Sequence, residues 1–168
     1  RKVFPERHFN MGIAEANMMS VAAGLATTGK GVFASTFAMF ASERACEQIR
    51  NSIGYPKLNV KIAASHAGIT VGEDGASHQC IEDIALMRGI PGMTVFNPAD
   101  SAETAWAVKK ALDIDGPVYI RLGRYAVDQV FEDCSDNEVG KGKVIADGTD
   151  IAIFATGITV AAAVKARE

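Results

Sequence analysis

Thr94-Val95-Phe96, then Asn97-Pro98-Ala99-Asp100, then a run from Ser101 to Leu112, then Val118-Tyr119-Ile120-Arg121-Leu122 reads in order as strand, turn, helix and strand. Both strand segments are short apolar runs, as expected of strands covered on two faces. Asp100 or Ser101 stands at the helix N-cap, with Glu103 in the first turn. Gly116-Pro117 leads into the second strand. Strands joined through a helix run parallel, so this unit predicts a parallel α/β sheet.

The alternation continues upstream. A helix is expected from about Gly12 to Leu25, after a strand-like end at Phe9-Asn10. A turn at 27–31 leads to a strand, Val32 to Ser35. A helix from Phe37 to Ser52 ends at Gly54-Tyr55-Pro56. A strand at Val60 to Ala64 is followed by a long loop, His66 to Gln79, and a helix from Ile81 to Arg88. Downstream of Gly123 the texture changes. Residues 128–142 are polar and acidic, Lys143–Ala146 and Ile151–Ala155 read as strands, and a helix is expected from Val160 to Glu168. The expected fold class is α/β, a three-layer parallel sheet with helices on both faces. Residues 1–127 form one domain, and 128–168 a linker with the start of a second α/β domain.

Of the 168 residues, 48% are apolar and 22% charged, which reads as globular. A net charge of −3 with no basic run argues against nucleic-acid or membrane-surface binding. No apolar run approaches the roughly 18 residues of a membrane span, and no signal peptide is apparent. Cys46, Cys80 and Cys134 form no CxxC or zinc spacing and read as reduced thiols of a cytoplasmic protein. The missing initial Met, and a last helix that runs to Glu168, read as a piece of a longer chain.

In open parallel sheets, ligands bind beyond the carboxyl ends of the strands. Thr36, His66, Asp100 and Arg124 fall at such ends, and Glu15 follows Phe9-Asn10 in the same way. Glu15 opens a helix of small and apolar residues, where a carboxyl is either buried chemistry or a first-turn residue favoured by the helix dipole. The loop His66–Gln79 carries glycines, acidic residues and two histidines, and loops of that length are often functional. His66 and His78 lack metal-site spacing, so no metal is expected on this chain. Phe37 and Phe40 share one face of a helix start, which suits core packing as well as a ring pocket. Neither a Walker A nor a GxGxxG motif is present.

Four segments carry a resemblance in order and spacing: Gly12-Ile13-Ala14-Glu15-Ala16-Asn17-Met18, Ser35-Thr36-Phe37-Ala38-Met39-Phe40, Gly72-Glu73-Asp74-Gly75-Ala76-Ser77-His78-Gln79, and Arg121-Leu122-Gly123-Arg124. Together they resemble the pyrimidine-binding domain of transketolases, above all the separate C-terminal subunit of split transketolases. The resemblance implies thiamine diphosphate held between two chains, with its aminopyrimidine in this domain. It implies that Glu15 hydrogen-bonds ring N1′ and favours the 4′-imino tautomer. It implies that Phe37 and Phe40 line the ring pocket, and that His66, Asp74, His78 and Arg124 bind sugar phosphates. The implied reaction moves a two-carbon ketol unit from a ketose phosphate to an aldose phosphate, in pentose phosphate metabolism.

The chain departs from the full-length pattern at Ala14, Ala16, Ala67 and Glu43. This brings a deoxyxylulose-phosphate synthase into view, and a 2-oxo acid dehydrogenase beta chain or a non-catalytic assembly domain are further alternatives. The family's first strand and helix of this domain are expected before Arg1. No Gly-Asp-Gly is present, so magnesium and the diphosphate are expected on a partner, an N-terminal subunit. The implied assembly is a homodimer of this chain within a heterotetramer.

Overall fold

The structure is a computed structural model and describes residues 2–167. Four parallel strands form one sheet in the order β1-β2-β4-β3: β1 Val32–Phe37, β2 Val60–Ser65, β3 Thr94–Phe96 and β4 Val118–Arg121. In register, Ile62 lies beside Ala34 on β1 and Tyr119 on β4, so these three share a face. Ala63, Ile120 and Phe96 share the opposite face.

Each face has its own core. On the first, Ala34, Val60, Ile62, Ala64 and Tyr119 pack against Met19, Ala22, Ala23 and Ala26 of α1 (Glu15–Ala26), Ile49 and Ile53, and Met87 of α3 (Asp83–Arg88). Small residues on α1 let the helix lie close to the sheet. On the second face, Phe96, Val118 and Ile120 meet Ala107 and Ala111 of α4 (Ser101–Asp113), with the Trp106 ring edge-on to Phe96 at 5.7 Å. Helices therefore cover both faces of a parallel sheet, the three-layer α/β architecture expected from the sequence. Lys61 is buried on the α4 side and donates from Nζ to the carbonyls of Ile114 at 2.6 Å and Gly116 at 2.7 Å. Burial lowers the pKa of this amine.

Five expectations are corrected. Phe9 and Asn10 form no strand, and Phe9 is exposed. Instead, Asn10 Oδ1 accepts from the Gly12 amide at 3.0 Å, and Gly12 turns with φ +67°. This puts the start of α1 at Glu15, later than expected. Phe37 is the last residue of β1 rather than a helical residue, because its backbone still pairs with Ser65. The single helix expected to Ser52 is a chain of short pieces: a π-helical turn Phe40–Arg44, α2 at Cys46–Gln48, and a second π-helical turn Ile49–Gly54.

Finally, the segments 143–146 and 151–155 form no strands. Their side chains, among them Val144, Ile151 and Phe154, are exposed, and no neighbouring strand edge pairs with them among the described residues. Alternating apolar residues make a strand only where an edge accepts their hydrogen bonds. The tail is instead pinned at single points. The Thr156 hydroxyl and Gly157 amide donate to the Asn97 carbonyl at 3.1 and 3.0 Å, and α5 (Thr159–Ala166) follows; Glu168 lies outside the described residues.

Candidate active site

Glu15 begins α1, and only 7% of it remains exposed. Its Oε2 lies 3.2 Å from Nη1 of Arg44, the last residue of the first π-helical turn. The same guanidinium sits 4.3 Å from the centroid of the Phe40 ring. Glu15 and Phe40, distant in sequence, are thus joined through one flat cation.

The aromatic cluster begins where β1 and β2 end. Phe37 closes β1, and His66 directly follows β2, stacked on Phe37 with centroids 3.8 Å apart. Phe37 and Phe40 are parallel within 7° at 5.9 Å. His78 meets both edge-on, at 6.1 and 5.2 Å. His66 holds φ +59°, a left-handed conformation rarely adopted by residues other than glycine, and such strain collects at functional sites. Its Nδ1 lies 2.9 Å from Ser65 Oγ, and His78 Nδ1 3.0 Å from Ser77 Oγ.

Two backbone hydrogen bonds between Gly68 and Cys80, at 2.7 and 3.1 Å, close the neck of the long loop. Arg121 lies below that neck. It donates from Nε to Asp83 Oδ2 at 2.8 Å, and the Tyr119 hydroxyl donates to the same oxygen at 2.9 Å. Asp83 and Tyr119 are fully buried. Burial, with the Asp83 charge second, pushes the Tyr119 phenol far above its usual range, so it stays a donor.

Of the residues expected at a site, Phe37, Phe40, His66 and His78 come together, and Glu15 reaches them through Arg44. Asp74 stands exposed on the loop, and Arg124 reaches the loop at Glu73, Nη2 to Oε2 3.5 Å. Asp100 is the N-cap of α4, not a ligand-facing group. Its Oδ1 accepts from Glu103 N at 2.9 Å, and its Oδ2 from Val130 N and Phe131 N, both at 2.8 Å. Arg44 and the Asp83–Arg121–Tyr119 group were not foreseen. The spacing of Arg44, four residues after Phe40, is the one local signal for a cation over that ring.

Glu43, Cys80 and Glu82 bring their ligating atoms within 4.8 Å of one another. Burial raises the Glu43 pKa, with Glu82 adding to it, and burial also raises that of Cys80, so this thiol is no ready nucleophile. A cavity of about 430 Å³ lies elsewhere, between α4 and residues 136–143, lined in part by Phe96, Asn97, Trp106 and Thr156. The ring cluster, not this cavity, holds the convergent polar chemistry. No helix among the described residues is long and apolar enough to cross a membrane.

The family model described as "Transketolase, pyrimidine binding domain" matches residues 1–129. The chain is 56% identical over 169 residues to a "Putative transketolase C-terminal section" of Methanocaldococcus jannaschii, covering 99% of this chain and 54% of that protein. A solved structure of a "Split gene transketolase, inactive beta4 tetramer" is 62% identical with a TM-score of 0.90, covering 98% of this chain and 53% of that one. A transketolase from Pichia stipitis in complex with sedoheptulose-7-phosphate is 30% identical with a TM-score of 0.65, over 70% of this chain and 18% of that one. The chain spans about half the length of the curated relatives it matches first. With the family model matching its first 129 residues and these relatives matching nearly its whole length, the chain belongs to the transketolase pyrimidine-binding family.

Proposed function

We propose that this chain is the pyrimidine-binding part of the C-terminal subunit of a split transketolase, active with an N-terminal subunit that holds the diphosphate and magnesium. The single observation that carries the reading is Glu15, a buried carboxylate engaged by a flat cation that itself lies over the Phe40 ring. An aminopyrimidine with a protonated ring nitrogen presents the same features, a planar π-system and an N–H directed at a carboxylate. The residues present therefore fit that ring.

When bound, thiamine diphosphate supplies the nucleophilic carbon and the electron sink for two-carbon transfer. Glu15 accepts a hydrogen bond from ring N1′ and holds the proton there, with little water to compete at a group so buried. Phe37 and Phe40 orient the ring by stacking. His66 and His78 offer ring nitrogens to sugar hydroxyls or phosphate, and Arg124 offers its fork to phosphate. Asp74 accepts from a substrate hydroxyl. Ketose and aldose phosphates, of the kind interconverted in pentose phosphate metabolism, are the proposed substrates.

The partner requirement is supported by the related split-gene transketolase, whose beta4 tetramer is inactive. A homodimer of this chain within a heterotetramer is the assembly proposed. Residues 128–168 are proposed as a linker and the opening of the next domain. A cytoplasmic location is proposed with support from three free cysteines.

The test is Glu15→Gln in the complex with the N-terminal subunit. Glutamine keeps size and polarity but cannot hold the ring proton. Ketol transfer is expected to fall by at least ~10²-fold, with slowed exchange of the thiazolium proton seen by NMR. Wild-type exchange in the variant complex would defeat the reading.

A further inference from the structure

Arg44 has no part in the chemistry described above, yet it touches both groups that define the ring pocket. Its Nη1 is 3.2 Å from Glu15 Oε2, and its Cζ is 4.3 Å from the Phe40 centroid. It is the cation paired with Glu15 among the described residues. The two partners are buried to different degrees: the Glu15 side chain is 7% exposed and that of Arg44 52%. The carboxylate is fixed in place, while half of the arginine side chain borders solvent and has somewhere to go. The π-helical turn Phe40–Arg44, closed by the Ala45 amide on the Phe40 carbonyl at 3.2 Å, carries both the ring and the cation. Such turns are frequent at functional sites.

Resting on the function proposed above, we propose that Arg44 is a placeholder for the aminopyrimidine. Its guanidinium is planar and delocalised, directs N–H toward a carboxylate and stacks on an aromatic face. These are the two contacts that the ring needs, to Glu15 and to Phe40. The two groups therefore compete, and the arginine leaves when the ring docks. Held by Arg44, Glu15 is never a buried charge without a partner, which would be costly. The same contact lowers cofactor affinity by the strength of the ion pair. Arg44 is thus a positioning residue that sets the threshold for cofactor loading, and it touches no reacting atom.

The experiment uses the complete complex with the N-terminal subunit and titrates thiamine diphosphate in magnesium buffer by calorimetry, comparing wild type with Arg44→Ala. The variant is expected to bind about two- to fivefold tighter, the span of a half-exposed ion pair. Arg44→Gln, which keeps most of the side chain without its charge, is expected to shift affinity in the same direction and serves if the alanine variant fails to assemble. A second readout is independent of turnover. The Nε–H signal of Arg44 in the ¹⁵N spectrum, assigned by its loss in Arg44→Lys, is expected to move to a solvent-like position on saturation with thiamine diphosphate. Unchanged or weaker binding by both variants, or an Arg44 signal that stays in place on saturation, would overturn the proposal. A wild-type complex that takes up no thiamine diphosphate would bring down the function reading itself, and this inference with it.

Discussion

Removing the Asp83 carboxylate is expected to cost roughly 3–5 kcal/mol of folding stability. Asp83 is fully buried at the start of α3, and one of its oxygens serves two donors on β4, the Tyr119 hydroxyl at 2.9 Å and Arg121 Nε at 2.8 Å. In Asp83→Ala the phenol loses its acceptor inside the core, a penalty of about 1–3 kcal/mol. The guanidinium of Arg121, 18% exposed, loses its counter-charge at the same time, which brings the sum to that range. Asp83→Asn keeps an acceptor for both donors but puts an amide NH2 where Oδ1 is buried without a partner. The lost charge assistance alone costs about 1–3 kcal/mol, the difference between charged and neutral hydrogen bonds taken twice. Equilibrium urea denaturation at fixed protein concentration measures both. A Cβ on Gly68 would lie 3.4 Å from Arg121 Nη2, so the neck of the loop rests on the same arginine. Faster amide exchange at 66–80 in Asp83→Ala is expected alongside. A loss below about 1 kcal/mol in the alanine variant would refute the reasoning, since the ion pair would then only balance its own desolvation.

Two further predictions concern the ends of the strands. The Asp100 carboxyl is pushed up by burial but held below its ordinary pKa by the amides of Glu103, Phe131 and Val130. Its contribution is therefore present above the ordinary carboxylate pKa near ~4 and is lost as pH falls through the depressed value. Asp100→Ala should cost about 1–2 kcal/mol at pH 7, as a lost N-cap does, and should flatten the acid limb of the stability profile; an unaltered limb would count against this. Arg124→Ala in the assembled enzyme should raise KM for phosphorylated sugars by the equivalent of about 1.5–3 kcal/mol with little change in kcat. Gly72→Ala should act in the same direction, because a Cβ there, at φ +93°, would stand 2.9 Å from Arg124 Nη1. An unchanged KM in both variants would show that this arginine faces no phosphate.

Much of the architecture could be read from one dimension. Short apolar strands such as 94–96 and 118–121 carry burial on both faces in their composition, and caps and glycines mark where helices begin and end. The parallel sheet and the position of Glu15 at a helix start followed from such local signals. The ring residues were legible as types but not as a constellation. Phe37 and Phe40 looked like neighbours on a helix, whereas Phe37 ends a strand and His66, from the next strand, stacks on it. Local pattern also misled where pairing decides. Residues 143–146 and 151–155 have strand composition, yet among the described residues no strand pairs with them and they remain exposed. Arg44 on Glu15, and Arg121 with Tyr119 on Asp83, exist only because chain segments far apart in sequence meet. Sequence by itself determined which residues favour helix, strand or turn, since those preferences arise within a few bonds. Tertiary structure alone decided which charges share a buried partner, because that depends on the dielectric and the neighbours that only the packed chain provides.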